Sequence, residues 1–452
     1  MKHTKKLVPI ALIACISLQL LPLSACSKNG NGNVLRVASW DEYIDEGGAD
    51  SYVEGSRPLY EEFEDWYKET YGKEITVDYV PIQDNETMYN KIKMGDSYDI
   101  LCPSEYMCMK LAEEGYLQKF PAAFFDKTQE HNYYSKYVSP YIENVFKDEQ
   151  MRLSNGSPLS EYVAGYMWGT TGFVFNPKTV ERDDVKSWNV FTNEQYKRKI
   201  SAKDNVRDSY FAGLGMYYED TLLNEKAKLA ANTITETEYK QTLFSKMNDT
   251  ACMSEVQKLL QKMRGNLYGL ETDEGKLDII TGRFDISYQW SGDAVYTLDM
   301  GEDDEISENP LYLEYCIPES ASNLWFDGWV LMKDSKNVDA ATAFINFLSM
   351  PQNVVRNMYY IGYTSCIGGA EVFDYIAETY GADETEEETA PYDLQYFFGE
   401  SEDYILTAPL EQTQRQLFAQ YPDKETIKRL VVMKYFDKET NERANRMWNT
   451  IK

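Results

Sequence analysis

Histidine is almost missing from this chain, and basic residues are outnumbered by acids. Only His3 and His131 occur among 452 residues, which argues against a histidine triad, a histidine-rich zinc site or an imidazole proton shuttle. The chain has 45 Lys and Arg against 74 Asp and Glu, a formal charge of −29. Because a protein that binds a polyanion needs a basic face, this balance argues against nucleic acid as a partner.

The common catalytic signatures are also absent. The sequence contains no GxGxxG, no P-loop, no GxSxG and no HExxH, so nucleotide handling and the familiar hydrolase reactions have no support. Paired carboxylates are plentiful, but among 74 acids their spacing carries almost no information. We therefore expect no catalytic residue, no cofactor and no metal site.

The N-terminus carries a targeting signal. Three lysines within the first six residues precede an uncharged, mostly apolar run over 7–23, which ends in Leu23-Ser24-Ala25-Cys26. This pattern predicts a signal peptide over 1–25. Leu-Ser-Ala-Cys resembles the bacterial lipobox, in which Cys26 receives a lipid, and the alternatives are an ordinary signal peptide or an N-terminal membrane anchor. Residues 26–33 read as a flexible tether that would hold the folded part outside the cytoplasm.

Five cysteines remain beyond the lipobox, and no CxxC pair occurs. Their odd number and spacing do not require a disulfide. We interpret most of them as small, buried apolar residues.

Residues 58–114 alternate between helix and strand patterns. Proline opens a helix over 58–71, and Gly72 ends it. Strands are predicted over 74–80 and 98–102, and helices over 86–94 and 107–114. Such alternation predicts an α/β fold in which helices cover a parallel sheet.

Three short segments place an aromatic residue beside an acid near the end of a strand. Trp40-Asp41-Glu42-Tyr43 and Ser104-Glu105-Tyr106 each follow a predicted strand, and Trp325-Phe326-Asp327 precedes one that begins at Trp329. Ligands of open parallel sheets bind outside the carboxyl ends of the strands. These segments are therefore candidates for a binding site, although any one of them could be a ring packed in the core with its acid in water.

Together with further segments, they resemble the bacterial polyamine-binding proteins, the spermidine/putrescine-type substrate-binding components of ABC importers. The matching segments follow the order of that family from about residue 35 to about residue 365. They are 35–44, 98–106, Tyr166-Met167-Trp168-Gly169-Thr170-Thr171-Gly172, 204–208, 290–294, 325–327 and 361–363.

The resemblance implies a fold and a division of the chain. The expected fold is α/β and two-lobed, of the type II periplasmic-binding-protein kind, with a mostly parallel sheet flanked by helices in each lobe. Lobe 1 would comprise 34–163 and 326–375, and lobe 2 would comprise 164–325 and 376–452. The ligand cleft would lie between the lobes, which close on the ligand.

The resemblance also implies which residues bind the ligand, through carboxylates that grip ammonium groups and aromatic walls that cover the methylenes. The implied residues are Trp40, Glu42, Tyr43, Tyr106, Asp208, Trp290, Trp325, Asp327 and Tyr363. Asp208 and Asp327 are the ammonium partners among them. The sequence departs from the family at Asn205, where the spermidine binder has an acid, and around Met433, where that binder has a glutamine.

The function that the resemblance implies is capture and delivery without chemistry. The chain would be a membrane-anchored extracytoplasmic lipoprotein and a monomer, which binds putrescine or spermidine and delivers it to the permease subunits of an ABC transporter. The chemistry is consistent, because a desolvated ammonium needs a carboxylate and an aromatic face adds cation–π attraction. The alternatives are a binder of sugars or another solute, an exported glycosidase, or an iron carrier that uses Tyr106 and Tyr363.

Overall fold

The structure is a computed structural model, and it describes residues 33–271, 274–302 and 310–452. The predicted signal peptide, Cys26 and all but the last residue of the predicted tether lie outside the described residues. In the ranges that are described, no helix is long and apolar enough to cross a bilayer.

Fourteen β-strands occur in the described part of the chain. They are β1 (Val34–Trp40), β2 (Thr76–Ile82), β3 (Ile100–Leu101), β4 (Leu117–Gln118), β5 (Val163–Phe175), β6 (Ile200–Lys203), β7 (Gly269–Glu271), β8 (Ile286–Trp290), β9 (Glu314–Cys316), β10 (Ser322–Met332), β11 (Thr364–Ser365), β12 (Thr389–Asp393), β13 (Ile405–Pro409) and β14 (Leu430–Val432). Twelve of them form one sheet, and β12 and β13 form a separate antiparallel pair.

Helices connect and cover these strands. The α-helices of the described residues are α1 (Leu59–Tyr71), α2 (Asn85–Met94), α3 (Glu105–Glu113), α4 (Tyr133–Tyr137), α5 (Pro140–Lys147), α6 (Arg182–Val185), α7 (Val206–Ala230), α8 (Glu236–Lys246), α9 (Met253–Asn266), α10 (Glu274–Ile280), α11 (Ser291–Gly301), α12 (Val338–Leu348), α13 (Pro351–Ile361), α14 (Ala370–Tyr380), α15 (Gln395–Phe398), α16 (Gln416–Gln420), α17 (Lys424–Ile427) and α18 (Lys438–Asn449).

Two long antiparallel strands, β5 and β10, lie at the centre of the sheet. The strand order is β2-β1-β3-β10-β5-β8-β6-β7. On one side β2, β1 and β3 are parallel to one another, and on the other side β8, β6 and β7 are parallel. All residues of β5 and β10 are buried, so these strands join two α/β halves through a shared core.

The predicted helices and strands of the first half are confirmed, with small shifts at their ends. The helix predicted over 58–71 is α1, which begins after Pro58 and ends at Gly72 in the left-handed conformation, φ 66°. The helix predicted from residue 107 begins two residues earlier, at Glu105. The strand predicted over 98–102 is confined to β3.

One boundary prediction was wrong. Trp325, Phe326 and Asp327 do not precede a strand that begins at Trp329, because they lie inside β10. Both faces of this strand are covered, so it lacks the alternation of polar and apolar residues by which a half-buried strand is recognised. Asp327 is nevertheless at an irregularity, since the register with β5 shifts between Asp327 and Gly328.

The five cysteines of the described residues are buried and unpaired, which confirms their interpretation as small core residues. They are Cys102, Cys108, Cys252, Cys316 and Cys366.

Candidate functional site

Asp327 is a buried carboxylate at the middle of the molecule. The hydroxyl of Tyr43 donates a hydrogen bond to its Oδ2 at 2.7 Å, and Ser104 forms a second hydrogen bond with the carboxylate. Asp327 is only 7% exposed. Burial raises its pKa to about 6, although both hydrogen bonds act in the opposite direction.

Glu105 is a second buried carboxylate near Asp327, and the sequence analysis did not single it out as a binding residue. It is the first residue of α3 and is 3% exposed. Burial raises its pKa to about 8, with Arg207 lowering it and the negative charges of Asp327 and Asp208 raising it further. The only signal in the sequence was its place in Ser104-Glu105-Tyr106, where Tyr106 was preferred.

Asp208 and Trp290 are in direct contact. The Trp290 side chain forms a hydrogen bond with the carboxylate of Asp208, whose pKa is raised by burial against the opposing charges of Lys203 and Arg207. Asp208 lies in the first turn of α7. Its backbone N–H donates to Oδ1 of Asn205, the N-cap of that helix, at 3.2 Å. The structure therefore brings together two predicted residues that are 82 positions apart in the sequence.

Lys203 is the residue that sequence reasoning missed most clearly. Its side chain is 2% exposed, and its ammonium lies 3.0 Å from Oδ2 of Asp293. The same nitrogen lies 3.6 Å from the centroid of the Trp290 ring. Lys203 and Trp290 end the neighbouring parallel strands β6 and β8, which explains why the two side chains meet.

Asp293 forms ion pairs and hydrogen bonds with several side chains. Besides Lys203, it contacts the ammonium of Lys276 at 3.3 Å and accepts a hydrogen bond from the Tyr363 hydroxyl at 3.2 Å. Burial works to raise the pKa of Asp293, but the two lysines outweigh it and hold the pKa below its ordinary value. We refer to Glu105, Asp208, Asp293 and Asp327 as the carboxylate cluster.

Three of the predicted aromatic residues form a continuous wall beside Asp327. The rings of Tyr43 and Tyr363 meet edge to face at 6.0 Å between centroids, and those of Trp325 and Tyr363 lie 5.4 Å apart. The Trp325 indole donates a hydrogen bond to the carbonyl of Thr170 at 3.0 Å. That bond fixes the orientation of the ring.

Tyr106 contacts one residue through its hydroxyl and another through its ring. Its hydroxyl donates to Glu86 at 3.0 Å, and the guanidinium of Arg207 lies 3.8 Å from the centroid of its ring. Arg207 also donates to the carbonyl of Lys434 at 2.9 Å. A cation of the chain itself thus covers one face of this predicted wall.

Trp40 and Glu42 lie at the end of β1 and just after it. Trp40 ends β1 and is half-buried, and among the described residues its indole Nε1 has no hydrogen-bond partner. Glu42 is exposed and adopts φ 51°.

Within the described ranges, no group of three or more His, Cys, Asp or Glu side chains could hold a metal ion. The acids of the cluster lie near the ammonium of Lys203, the guanidinium of Arg207 and the Tyr43 hydroxyl.

Comparisons with known proteins agree on one family. The family model for bacterial extracellular solute-binding proteins matches residues 59–376. The spermidine/putrescine-binding periplasmic protein of Salmonella typhimurium is 25% identical over 345 residues, which cover 76% of this chain and 80% of that protein. The putrescine-binding periplasmic protein SpuD of Pseudomonas aeruginosa is 23% identical over 336 residues, covering 73% and 77% respectively.

A solved structure extends the likeness to almost the whole chain. The spermidine/putrescine ABC transporter substrate-binding protein PotD from Streptococcus pneumoniae superposes with a TM-score of 0.59. It is 26% identical, and the match covers 93% of this chain and 98% of that one.

Proposed function

The chain belongs to the bacterial extracellular solute-binding proteins, and from this premise we propose that it captures polyamines and delivers them to an ABC transporter permease. Its fold is the two-lobed α/β fold of type II periplasmic binding proteins. Membership of the family indicates a role in solute binding rather than catalysis. Two relatives described above are named as spermidine/putrescine-binding and putrescine-binding proteins, which supports polyamines as the solute class.

The observation that carries this proposal is the pair of buried acids Asp327 and Glu105. In the described part of the chain, neither forms an ion pair with a basic side chain. Buried carboxylates are costly unless a cation or hydrogen-bond donors compensate them. A ligand ammonium beside Asp327 would supply the missing charge through a short charge-assisted hydrogen bond.

The aromatic residues suit the alkyl part of such a ligand. Tyr43, Trp325 and Tyr363 form a wall next to Asp327, and flat rings can cover methylene groups while attracting the ammonium at either end. Trp40 offers an indole N–H without a partner among the described residues. We assign Glu42, Tyr106, Asp208 and Trp290 to the rim and the far side of the same site.

The proposed lobes meet across this site. Lobe 1 comprises 34–163 and 326–375, and lobe 2 comprises 164–325 and 376–452. Under this division, the hydrogen bond from Tyr363 to Asp293 and the stacking of Arg207 on Tyr106 both join one lobe to the other. A ligand held between Asp327 of lobe 1 and Trp325 of lobe 2 would favour the closed arrangement, and the closed, loaded protein would dock on the permease.

Calorimetric titration of the purified mature chain, freed of endogenous ligand, tests the proposal. The titrants are putrescine, spermidine, spermine and a panel of neutral sugars. We expect one-to-one binding of at least one amine and no heat from sugars. Heat from a sugar with silence toward every amine would contradict the proposal and would make the aromatic wall a carbohydrate site.

The proposed attachment is a lipid on Cys26, with the folded part outside the cytoplasm as a monomer. The lipobox-like Leu23-Ser24-Ala25-Cys26 supports it. In a bacterial host, we expect Cys26→Ser to move the protein from the membrane fraction to the soluble fraction. A Ser24→Ala control should leave it in the membranes, and equal fractionation of parent and Cys26→Ser would contradict lipid anchoring.

A further inference from the structure

Lys203 is a buried cation inside the proposed binding site. Only 2% of its side chain is exposed, and its ammonium is held between Asp293 at 3.0 Å and the Trp290 ring at 3.6 Å. Ordinary lysines keep their ammonium in water, because desolvating it is costly. The positive charge of Lys203 therefore repels a ligand ammonium that approaches it.

The surroundings of the Lys203 ammonium are those that a ligand ammonium would need. They comprise a buried carboxylate, the face of an indole and a second acid, Asp208, which is close enough for Lys203 to oppose the rise of its pKa. Carboxylate and aromatic face are the two groups that bind alkylammonium ions in proteins. Lys203 thus occupies, with a charge of the chain itself, a place where an amine would otherwise fit.

The two sides of the carboxylate cluster consequently differ in charge. On the side of lobe 2, Asp208 and Asp293 face Lys203, Lys276 and Arg207. On the side of lobe 1, Asp327 and Glu105 form no ion pair with a basic side chain in the described part of the chain. Within the described residues, no basic side chain acts on Asp327, and Glu105 has only the charge of Arg207 beyond ion-pair distance.

Given the proposed function, we propose that Lys203 is a specificity-determining residue that restricts the site to short diamines and disfavours triamines. A short diamine can place both ammonium groups near Asp327 and Glu105. The third ammonium of spermidine would approach Lys203 on the Trp290 face. Two like charges in a water-poor site repel strongly, since the interior screens them far less than water does.

Replacement of Lys203 by methionine tests this directly, because a methionine side chain is unbranched and only one heavy atom shorter than lysine but carries no charge. The mature proteins are titrated with putrescine and spermidine. For the parent, we expect putrescine to bind at least about tenfold more tightly than spermidine. For Lys203→Met, we expect spermidine affinity to rise by about tenfold or more, while putrescine affinity changes by less than about threefold.

Lys199→Met is the matched control. It also removes an ammonium paired with an aspartate, Asp285 at 2.8 Å, but the Lys199 side chain is 49% exposed and lies just before the same strand, β6. We expect it to leave the ratio of the two affinities unchanged. An equal gain in spermidine affinity in both variants would show a general effect of charge and would overturn the role of Lys203.

A measurement on the parent alone covers the case in which Lys203→Met fails to fold. Affinities are measured for a series of unbranched diamines from three to eight carbons and for spermidine. An affinity for spermidine equal to that for putrescine overturns the inference and leaves polyamine capture intact. If no amine binds at all, the proposed function fails, and the inference fails with it.

Discussion

The role of Asp327 can be tested by replacing its carboxylate with an amide of the same shape. It accepts a hydrogen bond from Tyr43 at 2.7 Å and is almost wholly buried. Replacing it by asparagine keeps the shape and removes the charge that a ligand ammonium would meet. We expect Asp327→Asn to weaken amine binding by about 1.5–3 kcal/mol, the range for hydrogen bonds to charged groups.

Calorimetry measures this change, and Asp334→Asn is the control, because Asp334 is an exposed aspartate shortly after the same strand. The control should bind like the parent. If Asp327→Asn also binds like the parent, Asp327 is not an ammonium partner.

The raised pKa values of Asp327, about 6, and Glu105, about 8, predict a dependence of binding on pH. Burial is the main cause of both shifts, Arg207 opposes the shift of Glu105, and Asp208 adds to it. An ammonium ligand binds the ionised carboxylates and itself stays protonated up to about pH 10. Binding therefore releases protons from these acids.

We expect amine affinity to rise as the pH increases from about 5 to about 8, through the two pKa values. Titration in buffers of different ionisation enthalpy should show proton release at pH 7. In Asp327→Asn, the rise between about pH 5 and pH 7 should flatten. If the amine affinity of the parent stays constant from about pH 5 to about pH 8, the role of both acids is contradicted.

Aromatic residues beside acids in the sequence pointed to the segments of Tyr43 and Asp327, whereas Asp208 and Trp290 were expected only from the family resemblance. The structure brings Tyr43 to Asp327 and Trp290 to Asp208. Lys203 could not be recognised, because a lysine beside a polar segment normally lies in water. Its burial depends on Asp293, which is 90 positions away.

Helix α7 shows how one element positions a site. Its N-cap, Asn205, accepts hydrogen bonds from the N–H groups of Arg207 and Asp208 at 2.8 and 3.2 Å. The oxygen of Asn205 is thus engaged by the helix, which gives a structural role to the position where the spermidine binder has an acid. In the first turn of α7, the side chain of Arg207 contacts Tyr106, and that of Asp208 contacts Trp290.

We expect Asn205→Ala to lower the free energy of unfolding by about 0.5–2 kcal/mol, because the first turn of α7 loses its cap. Asn205→Asp is the matched control, since aspartate caps equally well and its charge suits a helix N-terminus. Urea denaturation measures both. Equal stability of Asn205→Ala and the parent would show that the cap contributes nothing.

The elements themselves were largely predictable, and the central strands were the exception. Helix α1 has a stripe of apolar residues with a proline before it and Gly72 after it, which are local signals. Strand β10 has no such pattern, because neighbouring strands and helices cover it on both sides. Its start at Ser322 is set by pairing with β14, a strand more than 100 residues later.

At the scale of the whole molecule, Gly292 and Tyr363 approach each other closely. Gly292 lies in the first turn of α11, and a Cβ at this position would overlap the ring of Tyr363. Under the proposed division, the two residues belong to different lobes. Only glycine therefore lets the ring settle in the position from which Tyr363 reaches Asp293.

We expect Gly292→Ala to leave the fold intact but to reduce amine affinity by about tenfold or more, because the ring must move. Small-angle scattering should show that the ligand no longer compacts the variant. Gly265→Ala is the control, because a Cβ at this helical position meets nothing within 4 Å. Unchanged affinity and compaction in Gly292→Ala would show that this contact does not limit closure.

The unpaired thiols have a kinetic consequence. Cys102, Cys108 and Cys366 are buried around Asp327, and burial raises the pKa of each thiol well above its usual value. A soluble thiol reagent can modify them only when the surrounding structure opens. The rate of thiol modification therefore reports how often the structure around Asp327 opens. A bound amine that holds the lobes together should lower this rate.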